Sequence, residues 1–164
     1  MTSLESVMKY EIDPIGRVQA SRVEAVDDYW GKTRSTIQLV DGFDPEALQG
    51  LQEFSHVEVL FLFDQVDPDK IVTGARHPRN NIEWPRIGIF AQRGKNRPNR
   101  LGSTICRIAG VDGRSLEVEE LDAIDGTPVI DLKPIMAEFL PRGLVVQPKW
   151  STELMGEYWK EGDV

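Results

Sequence analysis

The chain has 164 residues, of which 40% are hydrophobic and 28% are charged. This length favours a single domain, and this composition is that of an ordinary globular protein, which excludes a disordered tail or a fibre. As a whole-chain average, the net charge of −8 argues against a general nucleic-acid binder, because phosphate contacts need a surplus of Lys and Arg.

Short apolar or alternating segments predict many strands and few helices. Ten prolines and fourteen glycines leave little room for long helices. Two short helices are expected, over 44–51 after the Asp44 cap and over 152–160 after the Ser151 cap. The predicted strands, in chain order, are 9–18 (interrupted at Pro14 and Gly16), 35–40, 56–63, 87–91, 103–109, 115–121, 128–132 and 143–147.

This pattern predicts a mainly β fold, a closed or nearly closed antiparallel β-barrel with a few short helices. Leu116 and Val118 are expected to face one side of their strand, with Glu117 and Glu119 on the other. We expect one domain over 1–164, with its core at about 10–135 and a C-terminal helical extension at about 150–160.

Several classes of protein are disfavoured by what the sequence lacks. Cys106 is the only cysteine, so no internal disulfide is expected, and it is interpreted as a buried core thiol. The two histidines have no partners at metal-ligand spacing. No apolar run approaches the ~20 residues of a membrane span, and residues 1–9 lack the features of a signal peptide. The expectation is a cytoplasmic protein without a membrane segment or metal.

The spacing of the glycines excludes two common nucleotide sites. No two glycines are separated by a single residue, so the dinucleotide fingerprint of Rossmann domains cannot be present. The P-loop pattern is also missing. A nucleotide-like cofactor would therefore be held in another way.

The basic residues are concentrated in one window, Gly74 to Arg107. This window carries a net charge of +7, which leaves −15 for the rest of the chain. Such a local field can attract an anion despite the acidic total, and the planar arginine fork suits phosphate and carboxylate groups. The alternative is a solvated loop that pairs with acids elsewhere. The basic residues are Arg76, Arg79, Arg86, Arg93, Lys95, Arg97, Arg100 and Arg107.

Another segment, 121–134, brings several ionisable residues together. Asp131 and Lys133 are two positions apart, so they should share one face of a strand. Asp131 also lies in an apolar run, where an acid usually needs a partner. Asp125 and Gly126 are typical of a turn.

Taken together, these segments resemble the TrmO family, also described as TsaA-like proteins. The resemblance runs from about residue 10 to 135, and it depends on the number and order of the motifs. In chain order these are PIG near the start, GL-x-x-FSH (50–56), R-x-P-R (76–79), G-x-FA-x-R (88–93), RPN-x-x-G (97–102) and LD-x-x-DGTPV-x-D-x-KP (121–134).

The resemblance implies a β-barrel that binds S-adenosylmethionine (AdoMet), and a homodimer with the cofactor near the subunit interface. Where many members carry Pro-Arg-Gln, this chain has residues 27–34. There Trp30 could stack on the adenine or belong to the core. By position, the other cofactor contacts implied are Asp64, Gln65, Arg93, Leu101, Leu121, Asp122, Ala123 and Ile124.

The activity implied is transfer of a methyl group to N6 of threonylcarbamoyladenosine beside the tRNA anticodon. A base would help, because this N6–H is a poor nucleophile until its proton leaves. Asp122 and Asp131 are the candidates. The residues expected to hold phosphate or the threonyl carboxylate are Arg76, Arg79, Arg97 and Arg100.

Two other functions stay open. The first is an AdoMet-dependent methyltransferase for a small molecule or another RNA, which the acidic total favours. The absence of the second domain that continues longer relatives, thought to help hold tRNA, favours it too. The second is a non-catalytic AdoMet-binding module.

Overall fold

The computed structural model describes residues 7–162. The first six residues of the N-terminal stretch considered above, and residues 163–164, lie outside this range. The single α-helix of the described residues is α1 (Lys149–Leu154). The strands are β1 (Gly16–Ala20), β2 (Arg34–Leu39), β3 (His56–Leu62), β4 (Ala75–Arg76), β5 (Ile87–Gly88), β6 (Leu101–Asp112), β7 (Ser115–Glu119) and β8 (Pro128–Pro134).

Six of these strands form a closed barrel, which confirms the predicted fold class. The strand order around the barrel is β1-β2-β7-β6-β3-β8, and every neighbouring pair is antiparallel. Closure removes the exposed edges that an open sheet would carry. The remaining two strands, β4 and β5, pair with each other in the long connection between β3 and β6.

Alternate residues of each strand fill the barrel. Val57, Val59 and Phe61 of β3 are at most 1% exposed, and Leu116 and Val118 of β7 are fully buried. The predicted division of β7 into an apolar and a polar face is confirmed. Each such side chain contributes about 1.5–3 kcal/mol on burial.

Cys106 is part of the barrel core, as the sequence predicted. The thiol is 0% exposed. Burial, and secondarily the charges of Asp122 and Glu120, raise the pKa of the Cys106 thiol far above its usual range. The side chain is therefore a neutral core group at any ordinary pH.

Three strand predictions are wrong in whole or in part. Segment 143–147 is not a strand, and Leu144 and Val146 are 92% and 85% exposed. An apolar sequence forms a strand only where a neighbouring edge can pair with it, and the closed barrel offers none. The first strand begins at Gly16 rather than residue 9, and Ile87–Gly88 is followed by a 3₁₀ turn.

The two predicted helices are shorter than expected. Segment 44–51 forms a 3₁₀ turn, Pro45–Leu48, and a second one begins at Leu51, after Gly50 with φ of 89°. The C-terminal helix α1 begins after Pro148, and residues 155–159 are turns, so the extension at 150–160 is only partly helical. Within residues 7–162, no helix has the length and apolar character needed to span a membrane.

Candidate functional site

Three loops emerge at one end of the barrel, which we call the site end. It is the end at which β3 finishes and β6 begins, where Leu62 pairs with Leu101. Every predicted site residue except Asp131 lies in one of these loops or at the first residue of β6. The loops are residues 21–33, 63–100 and 120–127.

The predicted cofactor residues Asp64, Gln65 and Leu101 are neighbours at the site end. Arg100 connects them, because its guanidinium donates hydrogen bonds to the Val66 oxygen at 3.0 Å and to the Asp64 backbone oxygen at 3.5 Å. Asp64, Gln65 and Leu101 are all exposed. The contact therefore ties the loop after β3 to the start of β6 and leaves these side chains accessible.

Two hydroxyl groups hold the carboxylate of Asp122. Thr104 Oγ1 on β6 donates to one oxygen, and the Tyr158 hydroxyl donates to the other. Leu121 and Ala123 on either side are 1% and 4% exposed, and both anchor the segment in the barrel. Asp122 itself is half-buried. Its carboxylate is thus an acceptor with a fixed position and unused lone pairs.

The backbone around Asp122 offers further hydrogen-bond donors. Segment 121–124 lies outside the sheet, and no backbone hydrogen bond between described residues uses its N–H groups. The turn that follows is closed, since Thr127 donates to the Ile124 oxygen through both its N–H and its hydroxyl. The N–H groups of 121–124 therefore have no backbone acceptor within residues 7–162, and donors of this kind suit a nucleobase edge.

Tyr158 is a site residue that the sequence analysis missed. The sequence placed this position only within the predicted helix over 152–160. Burial, and then the neighbouring Asp122 charge, raise the pKa of the Tyr158 hydroxyl far above its usual range, while the guanidinium groups of Arg79 and Arg93 act in the opposite direction. The hydroxyl therefore stays protonated and donates. The one signal in the sequence was a tyrosine among apolar residues, because a partly buried tyrosine hydroxyl usually needs a hydrogen-bond partner.

The segment that carries Tyr158 docks by its backbone on loop 21–33. Trp30 N–H donates to the Tyr158 oxygen at 2.8 Å, and Gly31 N–H donates to the Lys160 oxygen at 3.1 Å. A Cβ at Gly31 would lie 2.2 Å from the Trp159 oxygen, so this approach requires glycine. The C-terminal segment is thereby an integral wall of the site end.

Trp30 lies in the protein interior, which favours the core alternative over stacking on adenine. It is 4% exposed, and the Arg22 guanidinium covers its ring at 3.9 Å from the centroid. That guanidinium also donates to the backbone oxygens of Asp28 and Tyr29. A base could reach this ring face only after Arg22 moved.

Loop 63–100, which we call the basic loop because it carries most of the basic window, is connected to loop 21–33 by Arg79. Its guanidinium donates to both carboxylate oxygens of Asp28, at 3.1 and 3.0 Å. Arg79 and Asn80 both have positive φ, 51° and 57°, a left-handed conformation that is uncommon for arginine. Strain of this kind concentrates at functional sites.

Arg76 and Arg97 bind the protein itself rather than facing solvent freely. Arg97 donates to the backbone oxygen of Gln92 at 2.7 Å, and Arg76 Nε donates to the side-chain oxygen of Gln92 at 3.4 Å. Gln92, 7% exposed, in turn donates to the backbone oxygens of Arg76 and Ile87. The sequence analysis predicts that Arg76 and Arg97 bind an anion, and the structure shows that both also stabilise the fold of their own loop.

Other cations of the basic window face solvent. Arg86 and Lys95 are exposed, with no hydrogen bond or ion pair to any of residues 7–162. Arg93 is also exposed and donates to the Ser103 oxygen at 2.5 Å, which places it beside the start of β6. Arg107, the other exposed cation of the basic window, pairs with Glu119, so these three residues carry the accessible positive charge that has no carboxylate partner within residues 7–162.

Asp131 is separate from Asp122. It shares one face of β8 with Lys133, as predicted, and their side chains lie 3.7 Å apart. Leu132 between them packs on the core, so this face is the outside of the barrel. The structure therefore does not bring the two candidate bases together.

No group of three or more His, Cys, Asp or Glu side chains in the described part of the chain could hold a metal ion.

Comparison with known proteins gives consistent relatives. RcsF of Pseudomonas aeruginosa, whose name proposes it as an S-adenosylmethionine-dependent methyltransferase, is 36% identical over 139 residues. That alignment covers 77% of this chain and 57% of the relative. The Escherichia coli tRNA (adenine(37)-N6)-methyltransferase is 38% identical over 102 residues, covering 58% of this chain and 43% of that enzyme.

A crystal structure of TrmO from Pseudomonas aeruginosa superposes with a TM-score of 0.71 at 29% identity, covering 88% of this chain and 63% of that one. The chain thus spans less than two thirds of these relatives. Residues 26–139 match the family model of the tRNA-methyltransferase O N-terminal domain. The chain therefore belongs to the TrmO N-terminal domain family.

Proposed function

We propose that this chain binds AdoMet at the site end and transfers its methyl group to N6 of threonylcarbamoyladenosine beside the anticodon of tRNA. The observation that carries the proposal is the meeting of Asp122 and the free backbone edge 121–124 with the basic loop at one end of the barrel. Relatives named for methyl transfer to adenine 37 of tRNA support the substrate.

The residues at the site end fit AdoMet chemically. The cofactor carries an ammonium and a sulfonium cation, a carboxylate, ribose hydroxyls and an adenine. Asp122 and Asp64 offer acceptors for the cations and hydroxyls, and exposed Arg93 offers a partner for the carboxylate. The half-buried Ile124 and the exposed Leu101 add apolar surface, and the free N–H groups of 121–124 suit the adenine edge.

Bound AdoMet supplies an electrophilic methyl group on sulfur. The protein must orient N6 towards it and accept the N6 proton. Asp122 is the better candidate for the proton acceptor, because its carboxylate lies at the site end among the proposed cofactor residues. Asp131 faces outward from β8 beside Lys133 and would need a substrate that extends along the barrel wall.

Accessible cations would hold the tRNA. Arg86, Arg93 and Lys95 give the site end a positive surface on an otherwise acidic protein. Such segregation disfavours binding of RNA elsewhere on the surface and directs the phosphate backbone to the site end. We place the protein in the cytoplasm, where this substrate is found.

We also propose a homodimer. The outer face of β6 exposes Leu101 and Ile105, at 39% and 47%, next to the cofactor residues. A second copy seated there would bury these side chains and add its own basic loop to the site.

Methyl transfer from radiolabelled AdoMet to bulk tRNA tests the proposal. We expect label in tRNA that carries threonylcarbamoyladenosine and none in tRNA lacking that group. Equal labelling of both would contradict the proposed substrate. Binding of AdoMet, measured by calorimetry, tests the cofactor separately.

A second candidate is an AdoMet-binding protein that acts on a small molecule or does not transfer the methyl group. Three arginines donate hydrogen bonds to groups of the basic loop itself, namely Arg76, Arg97 and Arg100. Fewer cations are therefore available to bind phosphate than the composition suggests. AdoMet binding without label in any tRNA would favour this candidate.

A further inference from the structure

We propose that Tyr158 is a positioning residue of the methyl-transfer site, acting through Asp122. This inference rests on the function proposed above and extends it to a segment beyond the matched family domain, which ends at residue 139. The hydroxyl of Tyr158 donates to one carboxylate oxygen of Asp122, and Thr104 donates to the other.

The two donors come from different parts of the fold. Thr104 belongs to the barrel wall, and the residue is only 9% exposed. Tyr158 comes from the C-terminal segment, 36 residues from Asp122 in sequence. With one oxygen fixed by each, the carboxylate cannot rotate without breaking a hydrogen bond, so its remaining lone pairs keep one direction.

The C-terminal segment is held in place by contacts other than the Tyr158 hydroxyl. Backbone hydrogen bonds join it to Tyr29, Trp30 and Gly31. The Trp84 indole also donates to Glu153 of α1 at 3.0 Å. The tyrosine ring packs edge-on against Trp159, with centroids 4.9 Å apart. Loss of the hydroxyl alone therefore leaves the docking of the segment intact.

A hydroxyl in this position serves Asp122 rather than the fold. A phenylalanine would satisfy the ring packing, and the tyrosine adds only the donor. A donor to a fixed carboxylate contributes where that carboxylate must meet a partner in one orientation.

The test compares Tyr158→Phe with the parent and with Tyr29→Phe. The hydroxyl of Tyr29 makes no hydrogen bond within residues 7–162, which makes it a matched control. We expect Tyr158→Phe to lower kcat/KM for AdoMet about tenfold or more, because a hydrogen bond to a charged group is lost. The KM for tRNA should stay close to that of the parent, the melting temperature should fall by roughly 10 °C or less because the same hydrogen bond is lost from the fold, and Tyr29→Phe should match the parent throughout.

Two more variants separate positioning from folding. Thr104→Val should lower the same parameter, and Thr104→Ser, which keeps a hydroxyl, should restore it. In an Asp122→Asn background, Tyr158→Phe should cost less than twofold further, because both changes act on one group.

The outcomes distinguish this inference from the function beneath it. A parent that neither binds AdoMet by calorimetry nor transfers methyl groups overturns both. An active parent with Tyr158→Phe within twofold of it overturns only the role of Tyr158. A Tyr158→Phe loss that is fully additive with Asp122→Asn also overturns it.

Discussion

The Arg79 guanidinium donates hydrogen bonds to both carboxylate oxygens of Asp28, at 3.1 and 3.0 Å, and the backbone of Arg79 lies in the left-handed region. The pair joins the turn at Pro78–Asn80 to loop 21–33, whose backbone in turn receives the C-terminal segment. A bidentate pair of this kind fixes the relative orientation of the two side chains in addition to stabilising their contact. The pair therefore helps to set the distance between the basic loop and the wall that carries Tyr158.

The first prediction concerns this pair. Asp28→Asn should lower the free energy of unfolding by about 1 kcal/mol, because both side chains are about a quarter exposed and water screens the loss. Chemical denaturation measures the change. Asp27→Asn is the matched control, since Asp27 is 69% exposed and lies 4.0 Å from the same guanidinium. Equal effects of the two changes would contradict the assigned role of Asp28.

The second prediction concerns the close approach of β6 to the core. A Cβ at Gly102 would lie 2.5 Å from two ring carbons of Phe61, which is itself 1% exposed. Gly102→Ala should therefore destabilise the barrel by about 1–3 kcal/mol through overpacking. In Gly88→Ala the new Cβ meets nothing within 4 Å, and its effect should stay within about 0.5 kcal/mol. Thermal unfolding of both variants compares them.

The sequence predicted well those features that depend on local alternation. Leu116 and Val118 are buried as the two-residue period requires, and Asp131 shares a face with Lys133. The family resemblance named candidate site residues, and antiparallel closure gathers the loops that carry them at one end of the barrel, with the exception of Asp131 on β8.

Features that depend on pairing between distant segments were missed. The contact between Tyr158 and Asp122 spans 36 residues, and no local pattern encodes it. An apolar stretch such as 143–147 has the composition of a strand, but it could form one only beside an unpaired strand of a sheet, which the closed barrel does not offer. The direction of Arg97, towards the Gln92 oxygen, depends on a fold of the loop that its charge pattern does not reveal.

The third prediction concerns the salt dependence of tRNA binding. Arg86→Ala and Lys95→Ala should each weaken binding and reduce the slope of log K against log salt by about 1, if each residue contacts one phosphate. Arg114→Ala is the control, because Arg114 lies at the opposite end of the barrel and pairs with Asp41 at 3.0 Å. Filter binding at several salt concentrations gives the slopes. An unchanged slope in both test variants would place the phosphate contacts elsewhere.

The fourth prediction concerns stability at alkaline pH. Burial raises the pKa of Cys106 in the folded state, so the neutral thiol contributes stability that is complete below the unfolded thiol pKa of about 8.5 and is lost as pH rises above it. Between pH 7.5 and 9.5 this loss should reach about 1.4 kcal/mol. Cys106→Ala has no such group and should show that much less alkaline destabilisation. Urea unfolding at both pH values measures the difference, and parallel pH profiles would contradict the assignment.

The last prediction concerns the proposed homodimer. Ile105 projects from the outer face of β6 and is 47% exposed, so Ile105→Glu should leave the fold and melting temperature of the monomer unchanged. In a dimer seated on this face, the same change would bury a carboxylate without a partner, which costs several kcal/mol.

We therefore expect the parent to sediment as a dimer and Ile105→Glu to sediment as a monomer at the same concentration. Ile12→Glu provides the control, because Ile12 is also exposed, at 61%, but precedes the barrel strands. If the cofactor site lies near the dimer interface, Ile105→Glu should weaken AdoMet binding in parallel with dissociation. A monomeric parent would contradict the proposed homodimer, whereas a dimer that tolerates Ile105→Glu would place the interface on another face of the molecule.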